Sequence, residues 1–369
     1  MLELILGTVF LIYLLFIGQL IYGYNRIKRF SIKEFTPKTS FTIVVPFRNE
    51  KENLPNLLHS ISLLNYPKEL VEIILVDDDS NDSWKMEDGR WKFEIRIIKN
   101  ERKSNSPKKD AIETAIQVAK NDWIITTDAD CLVQKDWLTT FDQYIQENEV
   151  EMVASGVCYV PKNGFLPAFQ NLEFLSLQSA TIGSFGIDKP FMCNGANFAY
   201  SKAFFKKLNG FQGYETIASG DDVFLLQKAV LSTPKKVGFL LAKESIVATK
   251  PVKTWSELFQ QRVRWASKST GYSSVYGKIL ALIVFGGNLA WIMCFLLWLI
   301  GLLDQNIFML FVALKFLIDF ILLFKTANFF ESKLQYVLAS SLLYPFFSVL
   351  VAVYSLFGKY TWKGRNFRK

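Results

Sequence analysis

The chain has 369 residues, half of them hydrophobic and 15% aromatic, with a net charge of +8 and a positive mean hydropathy of +0.19. That is too apolar for an ordinary soluble domain and predicts membrane spans, with the basic excess set beside them. One histidine (His59, in an apolar helical pattern) and four scattered cysteines (Cys131, Cys158, Cys193, Cys294) exclude histidine triads, zinc spacing and a disulfide framework, and point to a reducing compartment.

Residues 4–24 form an apolar run of about 20 residues, enough to cross a bilayer. No basic region precedes it and no small-residue cleavage site follows, so it reads as a retained anchor and not a signal peptide. Arg26, Lys28 and Arg29 come next and place the following domain on the cytoplasmic side. Phe41-Thr-Ile-Val-Val-Pro46 predicts a first strand and residues 52–64 a helix. Residues 71–76 predict a second strand that runs into Asp77-Asp78-Asp79-Ser80-Asn81-Asp82. Residues 93–98 predict a third, and 109–120 a helix with Ala111, Ile112, Ala115, Ile116 and Ala119 on its apolar side.

Trp123-Ile-Ile-Thr-Thr-Asp-Ala-Asp130 reads as a buried strand running out into two carboxylates. Alternate residues of a strand share a side, so Asp128 and Asp130 are expected to converge on one point. Two hard oxygen ligands there suit Mg²⁺ or Mn²⁺ bridging to substrate phosphates. Strands alternating with helices argue an α/β domain with a parallel sheet covered on both faces. Ligands of such sheets bind beyond the carboxyl ends of the strands, where both acidic clusters fall.

Residues 152–160 predict another strand and 165–185 an aromatic-rich helix. Residues 191–200 carry Cys193-Asn-Gly-Ala-Asn197, whose glycine marks either a close backbone approach or a plain turn. Gly220-Asp221-Asp222 opens an apolar helix over 223–230, and carboxylates at a helix start also serve as caps. Residues 254–268 predict an amphipathic helix at the membrane interface, containing Gln261-Arg262-Val263-Arg264-Trp265. Apolar spans follow near 279–303, 307–323 and 334–357. The middle span holds Lys315 and Asp319 one turn apart, expected to pair inside the bundle because charge at membrane depth is costly. Three crossings from a cytoplasmic domain would leave the C-terminus outside, yet Lys359, Lys363, Arg365, Arg368 and Lys369 argue that it stays inside. A break at Pro345 into a re-entrant pair reconciles the two.

Across residues 40–270 six motifs occur in order: Val45-Pro-Phe-Arg-Asn-Glu50, Val76-Asp-Asp-Asp-Ser80, Lys108-x-x-Ala111-Ile112, Asp128-x-Asp130, Gly220-Asp-Asp222 and Gln261-x-x-Arg264-Trp265. The set resembles the membrane-bound glycosyltransferases of family 2, in the subgroup of cellulose, hyaluronan and chitin synthases and ceramide glucosyltransferases. That resemblance implies an α/β GT-A fold, Rossmann-like with a mostly parallel sheet. It also implies a nucleotide-diphospho-sugar donor, Mg²⁺ or Mn²⁺, and inversion at the anomeric carbon. Through it Asp78, or less directly Asp77, is expected to contact the nucleoside base, with Pro46, Glu50 and Lys108 lining the nucleotide pocket. Asp128 and Asp130 are expected to hold metal and diphosphate, Asp130 more directly. Asp222 matches the catalytic base, preceded by Asp221 where glutamate is common. Gln261, Arg264 and Trp265 match the interfacial motif that holds the diphosphate and the acceptor sugar. Asp79 replaces the glycine usual in its turn, a change Asp tolerates because it enters positive φ more easily than most residues.

An inverting transfer needs a base on the acceptor hydroxyl and no covalent nucleophile. A metal and Arg264 would stabilise charge growing on the departing diphosphate. The expected organisation is an anchor at 1–30, a GT-A domain at 38–250, an interface helix at 251–275, transmembrane segments at 276–358 and a basic tail at 359–369. This describes a multi-pass protein of the cell or inner membrane with a cytoplasmic catalytic domain, one N-terminal span and about three C-terminal ones. Three C-terminal spans are few to enclose a polymer channel, and Tyr360-Thr-Trp-Lys-Gly-Arg365 resembles the tail of ceramide-glucosyltransferase-like enzymes. The expected reaction is therefore sugar transfer to a lipid acceptor. A processive polysaccharide synthase is the alternative, and a non-catalytic nucleotide-sugar-binding membrane protein the third reading. Nucleic-acid binding is not expected, since no basic-aromatic repeat occurs.

Overall fold

The computed structural model describes residues 1–84, 86, 91–357, 360–362 and 365–367. An apolar helix, α1 (Leu2–Arg26), is followed by β1 (Phe41–Phe47), α2 (Leu54–Ser62), β2 (Val71–Asp77), β3 (Glu94–Lys99), α3 (Pro107–Val118) and β4 (Trp123–Thr126). β1 and β2 are apolar and buried at nearly every position, as strands covered on both faces must be. They pair in parallel with each other, with β4 on one flank and β3 on the other. Pro46 falls beyond the last β1–β4 pair, Val44 with Thr126, so its missing N–H costs no ladder bond on that side.

The domain continues through β5 (Cys131–Leu132), α4 (Trp137–Glu147), β6 (Met152–Ser155), β7 (Val157–Tyr159) and α5 (Phe165–Gly186). Then come β8 (Phe198–Ser201), α6 (Lys202–Lys207), α7 (Asp221–Ser232), β9 (Val237–Leu240) and β10 (Val247–Thr249). The main sheet has the order β3-β2-β1-β4-β8-β6-β9, and a smaller one runs β5-β10-β7. β8 is antiparallel to both neighbours, while the other pairs of the main sheet are parallel. This is an α/β, Rossmann-like sheet. Alternate residues of β1 and β2 feed two cores. Val44, Ile74 and Val76 pack with Ala111 and Ala115 of α3 and Leu225 of α7. Ile43, Val45 and Ile73 pack with Leu57 of α2 and Trp137 and Phe141 of α4. The single strand expected over 152–160 is two strands in two sheets. They part at Gly156, where an added Cβ would lie 2.8 Å from the Phe330 ring, so the close approach of that ring bars any side chain there.

α8 (Trp255–Ser267) begins with a capping box, Thr254 with Glu257. After it come α9 (Val275–Leu299), α10 (Gln305–Phe330), α11 (Val337–Phe357) and a hairpin of β11 (Tyr360–Trp362) with β12 (Arg365–Phe367). Among the described residues α1, α9, α10 and α11 are long and apolar enough to cross a membrane. α9 and α10 leave the α/β layer and return to it. Trp298 and Phe308 stack at 4.9 Å at the far turn, whereas Gly277 packs on Phe191 and Phe330 on Gly156 at the near ends. Lys315 and Asp319 form an ion pair of 2.7 Å, and the Tyr13 hydroxyl of α1 donates to Asp319 at 2.7 Å.

Pro345 does not break the last helix: α11 runs unbroken through it. The chain returns by another route, because α11 lies along α8 and α5. Phe347 meets Phe169 at 5.2 Å and Trp255 at 6.4 Å, and Tyr354 meets Phe259 at 5.3 Å. Arg365 then reaches Asp78, so the tail ends on the face that carries the acidic clusters. Lys359, Lys363, Arg368, Lys369 and the Lys363-Gly364 step of the tail motif lie outside the described residues.

α1 and α5 meet backbone to backbone: a Cβ on Gly23 would stand 2.1 Å from the Gly183 carbonyl oxygen. Gly23→Ala is expected to cost about 1–3 kcal/mol through this overpacking. A thermal melt of the detergent-purified protein checks it, and an unchanged midpoint would mean the two backbones do not touch.

Candidate active site

The acidic side chains reach one place because four chain segments end there. The Phe47 carbonyl accepts the Asp78 amide at 2.9 Å, which keeps β1 and β2 joined as they leave the sheet. Arg48 braces the turn, donating to the carbonyls of Asp78 at 2.6 Å and Asp79 at 2.5 Å. Asp77 is used up locally, accepting the Ser80 amide at 2.9 Å. Asp79 takes a φ of 64°, the left-handed geometry for which glycine is the usual residue. Asp78 faces inward and accepts from Asn100 at 2.7 Å, with Arg102 at 3.5 Å and Arg365 of the C-terminal hairpin also on its carboxylate.

Asp128 and Asp130 do not extend a strand as the alternation argument assumed. β4 ends at Thr126, and residues 128–131 make a turn closed by the Cys131 amide on the Asp128 carbonyl at 3.1 Å. Lys108, in the first turn of α3, donates to Asp128 at 2.6 Å and lies 3.6 Å from Asp221. Asp222 accepts the amide of Val223 at 2.7 Å and that of Gly195 at 2.9 Å, and stands 3.4 Å from the Lys268 ammonium. Gly195 lies in a turn closed by the Asn197 amide on the Asn194 carbonyl at 3.0 Å, and it is also tightly approached: a Cβ there would lie 3.0 Å from Asp221 Oδ2 and 3.3 Å from Asp222 Cβ.

On α8, Gln261 accepts from Arg262, and Arg262 is buried, donating to both Glu173 oxygens at 2.8 and 2.7 Å. Its guanidinium lies 4.2 Å from the Trp265 ring centre, which also packs on Phe174 of α5. Every site residue expected from sequence except Asp77 lines a single cavity of about 990 Å³. Gly195, singled out in the sequence as a candidate close backbone approach, lines it too, and so do Arg262, Glu173, Lys268 and Arg365, which were not expected there. Spacing from Arg264 to Lys268, one helical turn, is the one signal that would have found any of them.

Charge sorts the carboxylates. Burial pushes the Asp221 pKa up, aided by Asp222 and Asp128 and opposed by Lys108 and Lys268. Burial also works to raise Asp222, but Lys268, Lys108 and the two amides outweigh it and hold it below the usual carboxylate value. Lys108 loses basicity to burial and regains more from Asp128 and Asp221, so it stays a firm ammonium. A cation at Asp128 and Asp130 can be judged by the donors present. Both bring hard carboxylate oxygens, whereas burial and those two aspartates hold the Cys131 thiol well above its usual pKa, so it brings no thiolate. Among the described residues no group of three or more His, Cys, Asp or Glu cages an ion. Two carboxylates leave coordination positions for diphosphate oxygens and water, the pattern Mg²⁺ and Mn²⁺ favour, so the residues fit such a cation.

The comparisons with known proteins agree with this architecture. Residues 42–208 match the family model "Glycosyl transferase family 2", and the chain carries a family 2 glycosyltransferase domain. Glycosyltransferase AglE of Haloferax volcanii is 22% identical over 229 residues, covering 60% of this chain and 70% of AglE. The Staphylococcus aureus poly(ribitol-phosphate) beta-N-acetylglucosaminyltransferase TarS is 26% identical over 115 residues, covering 31% of this chain and 20% of TarS, so the chain spans only a fifth of that relative. Among solved structures, the mannosyltransferase PcManGT from Pyrobaculum calidifontis, in complex with GDP-Man and Mn²⁺, aligns with a TM-score of 0.57. It is 18% identical, with 96% of this chain and 99% of that chain covered, and shares the fold.

Proposed function

We propose that the protein moves a sugar from a nucleotide-diphospho-sugar to a hydroxyl of a lipid acceptor, with inversion, at the cytoplasmic surface of a membrane. The observation that carries this reading is one cavity walled by two chemically different sets of residues. Asp78, Lys108, Asp128, Asp130, Asp221 and Asp222, from the ends of the α/β elements, form the charged set. Leu280, Val284 and Phe285 of α9 and Phe347, Val351 and Leu356 of α11 form the apolar set. A hydrocarbon chain gains from leaving water or exchanging lipid for such a wall, while a growing polysaccharide would leave its hydroxyls without partners there. This favours a lipid acceptor over processive synthesis. The donor class is supported by the family 2 domain and by the relatives named for sugar transfer.

Asp222 accepts the proton of the acceptor hydroxyl as its oxygen bonds to the anomeric carbon and the bond from that carbon to the diphosphate breaks. The Val223 and Gly195 amides fix the direction in which its lone pairs point. Asp78 and the β1 end around Pro46 and Glu50 receive the nucleoside, and Asp128 and Asp130 are the residues that would hold Mg²⁺ or Mn²⁺ beside the diphosphate. The cation, when bound, supplies positive charge to the leaving group. Arg264 adds to it, while Gln261 and Trp265 face the acceptor. Arg262 supports Trp265 from below through its pair with Glu173.

The test is a screen of labelled nucleotide sugars against detergent-purified protein and membrane lipids, with and without Mn²⁺. An organic-extractable product of fixed size is expected, and a long polymer would overturn the lipid assignment. Ala352→Trp, which crowds the apolar wall, should cut lipid transfer by about tenfold or more while leaving donor hydrolysis intact. Equal loss of both activities would mean that the acceptor does not lie against that wall.

A further inference from the structure

We propose that Lys268 is a positioning residue for the transfer reaction: its ammonium keeps Asp222 ionised and ties the state of the base to the interface helix α8. The inference rests on the reading of Asp222 as the base. Lys268 begins the short 3₁₀ turn Lys268–Gly271 immediately after α8, the helix that carries Gln261, Arg264 and Trp265. Its ammonium is 3.4 Å from Asp222 Oδ1, and each side chain is only 13% exposed. An exposed pair of this kind would be worth little, but here neither partner has water to fall back on.

The surroundings show why Asp222 needs the cation. Asp128, Asp221 and Asp222 face Lys108 and Lys268. Lys108 is committed to Asp128 and Asp221. Lys109, beside it on α3, turns away and donates to the carbonyls of Tyr214 and Ile217, both at 2.7 Å. Tyr272 and Cys193 also face Asp222 and Lys268, and burial pushes both pKa values up, so they stay neutral. Arg264 reaches Lys268 with like charge. Lys268 is the cation paired with the base, and it enters from the end of α8. A carboxylate that must accept a proton has to be ionised first, and in this setting burial opposes ionisation. The ammonium offsets it, with Lys108 and the two amides adding to the effect. Lys268 packs close to Gly220, where an added Cβ would stand 3.2 Å from its Cδ.

The sign of the effect follows. A base works when deprotonated, so kcat/KM falls as pH drops through the Asp222 pKa. Removing the Lys268 charge raises that pKa, and the acid limb of the profile moves to higher pH. Lys268→Met is expected to shift the limb upward by about one unit or more, so that the fall in rate on acidification begins at a correspondingly higher pH, with donor KM little changed. Lys268→Arg should hold the limb in place and recover most of the rate, which separates charge from folding. A limb unmoved in Lys268→Met, or Lys268→Arg as impaired as Met at every pH, would overturn the proposal. Asp222→Asn measured alongside distinguishes the other failure: if that variant turns over normally, the assignment of the base itself is wrong.

Discussion

Asp222→Asn is expected to lower turnover by about 10²–10⁴-fold, the range general-base catalysis contributes, while donor binding survives. The substitution keeps the shape and the Oδ1 contact with the Val223 amide, but an amide nitrogen in place of Oδ2 cannot accept from Gly195 N–H. One buried donor is thereby orphaned, at a cost of about 1–3 kcal/mol in stability. Lys268 keeps a neutral oxygen at that position but loses the negative charge of its partner. Donor affinity should accordingly stay level or tighten. Turnover by product release and affinity by calorimetry, on the same preparation with its melting midpoint recorded, check this. Normal turnover would remove Asp222 from the mechanism.

Asp130→Ala should abolish metal-dependent donor binding, with a loss of about 100-fold or more in affinity measured with Mn²⁺. Asp130 is the cleaner of the two positions to test. Removing Asp128 also strips Lys108 of its 2.6 Å partner and frees an ammonium that can hold phosphate by itself, masking the metal. Binding of a fluorescent nucleotide sugar, titrated with and without Mn²⁺, reads the effect. Persistence of the Mn²⁺ stimulation in Asp130→Ala would show that the cation is held elsewhere.

The strands were legible because short, wholly apolar runs closed by acids or proline have few other uses, and β1, β2 and β4 are of that kind. The acidic clusters were legible as positions past strand ends. Their geometry was not. Asp128 and Asp130 were read as alternate strand residues, but β4 stops at Thr126, where β8 and β1 stop pairing with it. The split at Gly156 depends on Phe330, and no local pattern announces a partner so distant in sequence. The same holds for Arg262. Its neighbours Gln261, Arg264 and Trp265 belong to a spacing that sequence can register, whereas its value depends on Glu173 from another helix. Pro345 was overweighted: in α11 the ring is absorbed in a helix packed against α8 and α5, and aromatic contacts with Phe169 and Phe259, not a break, bring the chain back.

The contact between α1 and α5 has a practical consequence. A first helix that merely tethers an enzyme can be cut away to yield a soluble catalytic fragment. Here Tyr24 of α1 sits in the same core as Val44 and Leu225, and Tyr13 supplies the hydroxyl that Asp319 accepts. Trimming α1 would uncover the glycine face of α5 and strand a charged pair inside α10. The helix is part of the catalytic body, and purification has to carry it, with its lipid or detergent belt, from the start.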